Sequence, residues 1–139
     1  EPMVQHGDDR GHLFELLTTR DGGIEPIVHT YCVTAAPGSI RAWVYHKIQT
    51  DRLHFMNGYF RVGLIDVRDD SPTHGKTMVL EIGENKPVRL TIPTGVAHGV
   101  HNIGSDMAYF INMPTEVYDL KRPDKYRLPY PSPEIPIEL

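Results

Sequence analysis

The chemistry this chain can do is concentrated in a few residues at particular spacings. His46 closes a β-rich run, Asp51 follows five residues later, and His98 lies in Pro93-Thr94-Gly95-Val96-Ala97-His98-Gly99. An imidazole titrates near neutrality and can give or take a proton, and a carboxylate beside it biases its charge. Two imidazoles and a carboxylate can also ligate iron, manganese or zinc, so a metal site and a metal-free polar pocket both stay open. Residues two apart on a strand leave the same face, which puts Val44 and His46 on one wall. The turn through residues 47–50 should return the chain and bring Asp51 near them from the adjacent strand. Pro93 and Gly95 should make a tight turn, after which His98 opens another strand toward the same interior.

The elements that position these residues read as all-β. Twelve glycines and twelve prolines punctuate 139 residues, with short apolar runs between them, the rhythm of a sandwich or barrel. Candidate strands cover residues 13–18, 27–34, 40–46, 53–56, 59–66, 77–82, 88–92, 99–102 and 108–113. Asn57-Gly58 reads as a type I′ turn, which predicts a hairpin pairing residues 52–56 with 59–66. A short helical turn is expected after Pro123. Half of the prolines fall in the segment 114–139. That segment cannot enter a sheet interior, because proline lacks the ladder donor. It either runs extended along the surface of its own domain or a neighbour's, with Tyr126, Leu128, Tyr130 and Ile135 as apolar anchors, or stays free.

Size and charge narrow the class. The length suits one domain, residues 1–139, and the net charge of −4 argues against nucleic acid and membrane surfaces as partners. No apolar run approaches the roughly 18 residues that span a bilayer, and no signal-peptide pattern opens the sequence. One cysteine, Cys32, excludes an intrachain disulfide and fits the reducing cytoplasm.

Two motifs carry a resemblance. Gly38-Ser39-Ile40-Arg41-Ala42-Trp43-Val44-Tyr45-His46, with Asp51 and Gly58 beyond it, and Pro93-Thr94-Gly95-Val96-Ala97-His98-Gly99-Val100-His101-Asn102 resemble the paired motifs of the cupin superfamily. Three further stretches are similar to one cupin family, the dTDP-4-dehydrorhamnose 3,5-epimerases of deoxysugar biosynthesis. They are Asp8-Asp9-Arg10-Gly11-His12-Leu13-Phe14-Glu15, Asp66-Val67-Arg68-Asp69-Asp70-Ser71-Pro72-Thr73-His74-Gly75-Lys76, and Ile92 through Gly99. The likeness runs from about Asp8 to Tyr130. It implies a cupin jelly roll, two antiparallel sheets around a pocket, that forms a homodimer through its N-terminal strands. It also implies a nucleotide-linked 4-keto sugar as substrate and no cofactor.

In that family a His takes the proton beside the ketone and a Lys stabilises the enolate. A Tyr returns a proton on the other face, and an Asp near the C terminus orients the His. Here the His position holds Val44 and the Lys position holds Asp51. The Tyr position falls near Ile111, with Tyr109 two residues away, and the Asp position falls on Ser132. Arg10, Glu15, Arg41 and His98 match substrate-binding positions, while His29 and Tyr31 replace a Gln and an Asn. The resemblance therefore implies an isomerase with an altered active site. His46, Asp51, His98 and Tyr109 would share the acid and base work. Arg10 and Glu15 would meet the nucleotide, with His29, Tyr31, Arg41 and Val44 lining the sugar. The alternatives are a cupin with other chemistry, metal-dependent through His46, Asp51 and His98, or a small-molecule binder that catalyses nothing.

Strand parity adds further expectations. Arg41 and Val44 reach one pocket only if their strand is bulged. His54 should face outward or a dimer partner, and His101 should leave the face opposite His98. Cys32 reads as a small buried hydrophobe, Trp43 and Tyr45 as packing residues, and Arg68-Asp69-Asp70 as a solvated turn.

Overall fold

A computed structural model describes residues 1–20 and 26–139. Alternating apolar runs form β1 (Gln5–Asp8), β2 (Gly11–Phe14), β3 (Tyr31–Ala35), β4 (Ile40–Tyr45), β5 (Asp51–Asn57) and β6 (Tyr59–Asp66). They continue as β7 (Thr77–Gly83), β8 (Val88–Ile92), β9 (Val96–Asn102), β10 (Ala108–Asn112) and β11 (Tyr126–Arg127). Among the described residues no helix is long and apolar enough to cross a membrane. The strands make an antiparallel sheet in the order β3-β10-β5-β8, a second in the order β11-β4-β9-β6-β7, and a separate β1-β2 hairpin. The two larger sheets build the all-β cupin jelly roll that the motifs implied.

The core forms where the inward-facing rows of both sheets meet. Phe55 and Phe110 come from one sheet, and Phe60 and Val62 from the other. The Phe55 ring lies 5.1 Å from both Phe60 and Phe110, centroid to centroid. Such aromatic packing adds to the burial of apolar area in holding two sheets together.

That packing explains why the expected hairpin is absent. β5 pairs with β10 and β8, whereas β6 pairs with β9 and β7. Asn57-Gly58 is a corner between sheets. Only Gly58 has positive φ, at 80°, so the turn lacks the two left-handed residues of type I′. A β-carbon on Gly58 would lie 2.4 Å from that of Ala108. Asp51 likewise reaches the His46 region from the facing sheet and not from a neighbouring strand. β9 begins at Val96, so His98 lies inside a strand. Residues 124–126 form no helical turn.

The proline-rich segment packs on its own chain. Ile135, Ile137 and Leu139 are buried with Trp43, Ile65 and Ala97 on the outer side of the five-stranded sheet. Two glycines facing each other across β6 and β9, Gly63 and Gly99, leave the trough that receives them. A β-carbon on Gly99 would stand 2.5 Å from Leu139 and 2.7 Å from Ala42. Trp43 and Leu128 exchange backbone hydrogen bonds of 3.3 and 3.1 Å, so the segment also extends the sheet.

The Asp66–Lys76 motif is a turn organised by one buried carboxylate. Asp66 accepts from Arg68 Nη2 at 2.7 Å, Ser71 Oγ at 2.6 Å and Thr73 Oγ1 at 2.5 Å. The Arg68 fork, with the two hydroxyls and against the cost of burial, holds the Asp66 carboxyl well below the usual carboxylate range. A depressed folded value contributes stability that is present above the unfolded value of about 3.9 and lost as pH falls below it. Asp66→Asn is therefore expected to cost about 2–3 kcal/mol at pH 7. The gap to wild type should narrow as pH falls from about 5 to 3. Urea melts of both proteins across that range measure it.

Candidate active site

Asp51 sits at the floor of a cavity of about 350 Å³ between the two sheets. Its side chain is only 3 % exposed. His46, just beyond the end of β4, places Nε2 3.2 Å from Asp51 Oδ2, and His98, on β9, places Nε2 3.4 Å from the same oxygen. Asp51 Oδ1 accepts from Gln49 Nε2 at 2.7 Å and from Asn112 Nδ2 at 2.9 Å. His46 Nδ1 donates to the Asp124 carbonyl, and His98 Nδ1 lies 3.4 Å from the Val96 carbonyl. The Asp124 carboxylate in turn accepts from the backbone N–H groups of Lys47, Ile48 and Gln49 at 2.8–2.9 Å. That cap fixes the loop between His46 and Asp51.

The charges follow from these contacts. Burial alone would push His46 down, but its hydrogen bond to Asp51 and the Asp51 charge, with the Asp124 carbonyl, raise it. Burial would raise Asp51, yet His46 and His98 keep it below the usual carboxylate range. Burial dominates at His98 and lowers it, against the pull of Asp51. His46 is thus the imidazole that charges first, and His98 stays neutral to lower pH.

The mouth has a different character. Arg41, Lys125 and Arg127 line it, with apolar Val33, Val44, Leu53 and Phe110 between them and the floor. Burial lowers the Lys125 ammonium, and Arg127 and Arg41 lower it further. β4 carries the expected bulge: Arg41 stands opposite Val100 and Val44 opposite His98, three residues against two. Both side chains reach the cavity for that reason. Tyr31 on β3 faces it from the other sheet, and burial pushes its phenol up.

Several expected site residues lie elsewhere. Tyr109 alternates with Phe110 and Asn112 and points to the outer face, 40 % exposed. Arg10 is exposed on the β1-β2 hairpin and bound to Asp8, and Glu15 is paired with Arg20. Neither lines the cavity of its own chain. His29 packs its ring 5.5 Å from Tyr31, behind the pocket. Ser132 lies in the tail, where its carbonyl accepts from Ile135. His54 leaves the outer face of β5 but is fully buried, with Nε2 3.1 Å from the Leu16 carbonyl. Cys32 is exposed, on the outer face of the edge strand β3. His101 does leave the face opposite His98, with a buried Nδ1 that has no hydrogen-bond partner among the described residues.

Sequence reasoning missed Gln49, Asn112, Tyr118, Lys125 and Arg127. Parity would have found Asn112, two beyond Phe110. In metal-free protein, Asp51→Asn removes the group that raises His46, so the His46 midpoint is expected to fall. Proton NMR titration of the imidazole measures the change.

Comparison with known proteins places this geometry in context. Residues 6–126 match the family described as "Polysaccharide biosynthesis C-terminal domain". The spore coat polysaccharide biosynthesis protein SpsL of Bacillus subtilis is 37 % identical over 92 % of this chain and 85 % of its own. The "Probable low-salt glycan biosynthesis epimerase Agl13" of Haloferax volcanii is 38 % identical over 90 % of this chain and 81 % of its own. Among solved structures, the dTDP-4-dehydrorhamnose 3,5-epimerase of Bacillus anthracis, with TDP and pyrophosphate bound, superposes with a TM-score of 0.85. It is 23 % identical, over 98 % of this chain and 81 % of that one, and its likeness is one of fold.

Proposed function

The chain belongs to the polysaccharide biosynthesis C-terminal domain family, and we propose that it is an isomerase of the epimerase type acting on a 4-keto sugar nucleotide. The observation that carries this reading is the His46–Asp51–His98 cluster, buried at the floor of a pocket whose mouth is cationic. A carbon beside a ketone loses its proton readily only if a base lies within reach and a cation meets the oxygen that becomes an enolate. His98, neutral at physiological pH, is the base. Lys125 has no hydrogen bond or ion pair among the described residues and is the cation that faces the enolate oxygen. It takes over a task that Asp51, a carboxylate, cannot perform. Arg41 and Arg127 receive the nucleotide phosphates. Val44 removes a base from its usual place, so the acid and base set differs from that of the 3,5-epimerases. The protein works in the cytoplasm as a homodimer; the exposed Val4, just before β1, and Leu13 on β2 support the pairing of two copies.

Incubated in D2O with dTDP-4-keto-6-deoxyglucose, or with a UDP-linked 4-keto-6-deoxyhexose, the protein is expected to place deuterium at C3 or C5. No exchange above a buffer control on both sugars would refute the reading.

One observation favours a second reading. Each imidazole turns Nδ1 to a backbone carbonyl while both Nε2 atoms converge on one carboxylate oxygen, and the three donor groups lie within 4.8 Å of one another. Metal-bound histidines are oriented in this manner. His46, Asp51 and His98 would then hold a divalent cation, which when bound supplies a Lewis acid for a carbonyl oxygen. Under this reading elemental analysis finds near one equivalent of zinc, manganese or iron, lost in Asp51→Asn. Full exchange activity in metal-free protein would sink it.

A further inference from the structure

We propose that Tyr31 is the proton donor that meets the substrate on the face opposite the imidazoles; the inference rests on the isomerase reading. Inverting a carbon requires a base on one side of the reacting plane and an acid on the other. His46 and His98 come from the β4 and β9 side of the pocket, in the five-stranded sheet. Tyr31 projects from β3, at the edge of the facing four-stranded sheet. The two kinds of group therefore approach a bound ring from opposed walls.

The hydrogen-bond network fixes the direction in which the Tyr31 proton can go. Asn112 Oδ1 accepts from the backbone N–H of Arg52 at 3.1 Å, which sets the orientation of the amide. Its Nδ2 then donates to Asp51 Oδ1 at 2.9 Å and to the Tyr31 hydroxyl oxygen at 2.8 Å. Because that oxygen is an acceptor toward Asn112, the hydroxyl hydrogen points elsewhere. It has no acceptor among the described residues, and Tyr31 and the Asn112 that holds its hydroxyl both line the cavity. The register pair Asn112–Tyr31 across β10 and β3 keeps the two side chains together, and the His29 ring packs against the phenol ring from behind. Tyr109 is on the outer face, and Tyr118 sits on the loop beyond β10, 45 % exposed.

In the step proposed, the imidazole takes the proton from the carbon beside the ketone. The C–H electron pair forms the C=C bond as the ketone becomes an enolate. The Tyr31 O–H bond then breaks, its proton forms the new C–H bond on the other face, and the ketone returns. The Tyr31 phenolate recovers a proton from water at the pocket mouth, where the residue is 39 % exposed, and the imidazolium releases its proton to solvent. Asn112, donating to the phenol oxygen, stabilises the transient phenolate.

Tyr31→Phe, assayed in D2O on the two keto sugars above, separates removal of the proton from its return. Deuterium should still enter the unreacted sugar within about fivefold of the wild-type rate, since base and cation remain. The inverted product should fall by about 100-fold or more, the usual weight of a positioned acid. Persisting exchange would itself show that the variant is folded. Inversion at the wild-type rate would overturn the assignment. So would a parallel loss of exchange and inversion, or loss of inversion in Tyr118→Phe with Tyr31→Phe normal. Absence of exchange in the wild-type protein on both sugars instead defeats the isomerase reading, and the assignment with it.

Discussion

The structure turns on one buried negative charge. Asp51 is 2 % exposed, and a carboxylate withdrawn from water is tolerated only when its oxygens are fully engaged. The groups that engage it come from separate places in the chain: His46 after β4, Gln49 in the following loop, His98 on β9 and Asn112 on β10. Satisfying one carboxylate therefore ties the two sheets together at the pocket floor. The same contacts set the protonation of both imidazoles, so the requirement for stability and the requirement for chemistry are met by one network.

That network reaches the C-terminal segment through Asp124. Its carbonyl takes the His46 N–H and its carboxylate caps the loop leading to Asp51. Lys125 and Arg127 follow at once and reach the pocket mouth. The segment is kept in place by Ile135, Ile137 and Leu139 in the trough left by Gly63 and Gly99, against Trp43. β4 thus has two jobs at adjacent residues. Trp43 anchors the tail on the outside, and Val44 lines the pocket on the inside, with the bulge allowing Arg41 to join it.

Most strand positions from residue 40 on, the motifs and the bulge were legible in the sequence because they are local: alternation, turn residues and a parity conflict between Arg41 and Val44. The N-terminal strands were not: β1 was not foreseen, and the runs 13–18 and 27–34 are strand only at 13–14 and 31–34. Which sheet each strand joins was not legible either, since pairing depends on packing across the core. Asn57-Gly58 shows the difference. Its composition fits a hairpin, but Phe55 and Phe60 bury more by facing each other from opposite sheets, and the turn becomes a corner. The cationic half of the site was hidden for a related reason. Lys125 and Arg127 lie in a proline-rich tail with no period to read, and only the glycine trough, formed by two strands far apart in sequence, brings them to the pocket. Tyr109 misled in the opposite sense: regular alternation along β10 turns Ala108, Phe110 and Asn112 inward and leaves Tyr109 on the outer face.

The features that set the pocket apart from the pattern implied by the 3,5-epimerase resemblance fit one another. A carboxylate at position 51 makes the floor negative, and two imidazoles are drawn onto it. An imidazole at position 44 would have no place in that arrangement, and valine there keeps the neighbouring wall apolar. In the proposed reaction, charge stabilisation of the enolate then comes from the rim, where Lys125, Arg41 and Arg127 border the same cavity. In the proposed reaction this leaves the proton-accepting imidazole deep in the pocket and the enolate oxygen toward the mouth. The sugar ring would then enter edge-on between the sheets, with one face to the β4–β9 wall and the other to β3. That orientation makes the phenol on β3, and not a residue of β10, the group placed to return the proton.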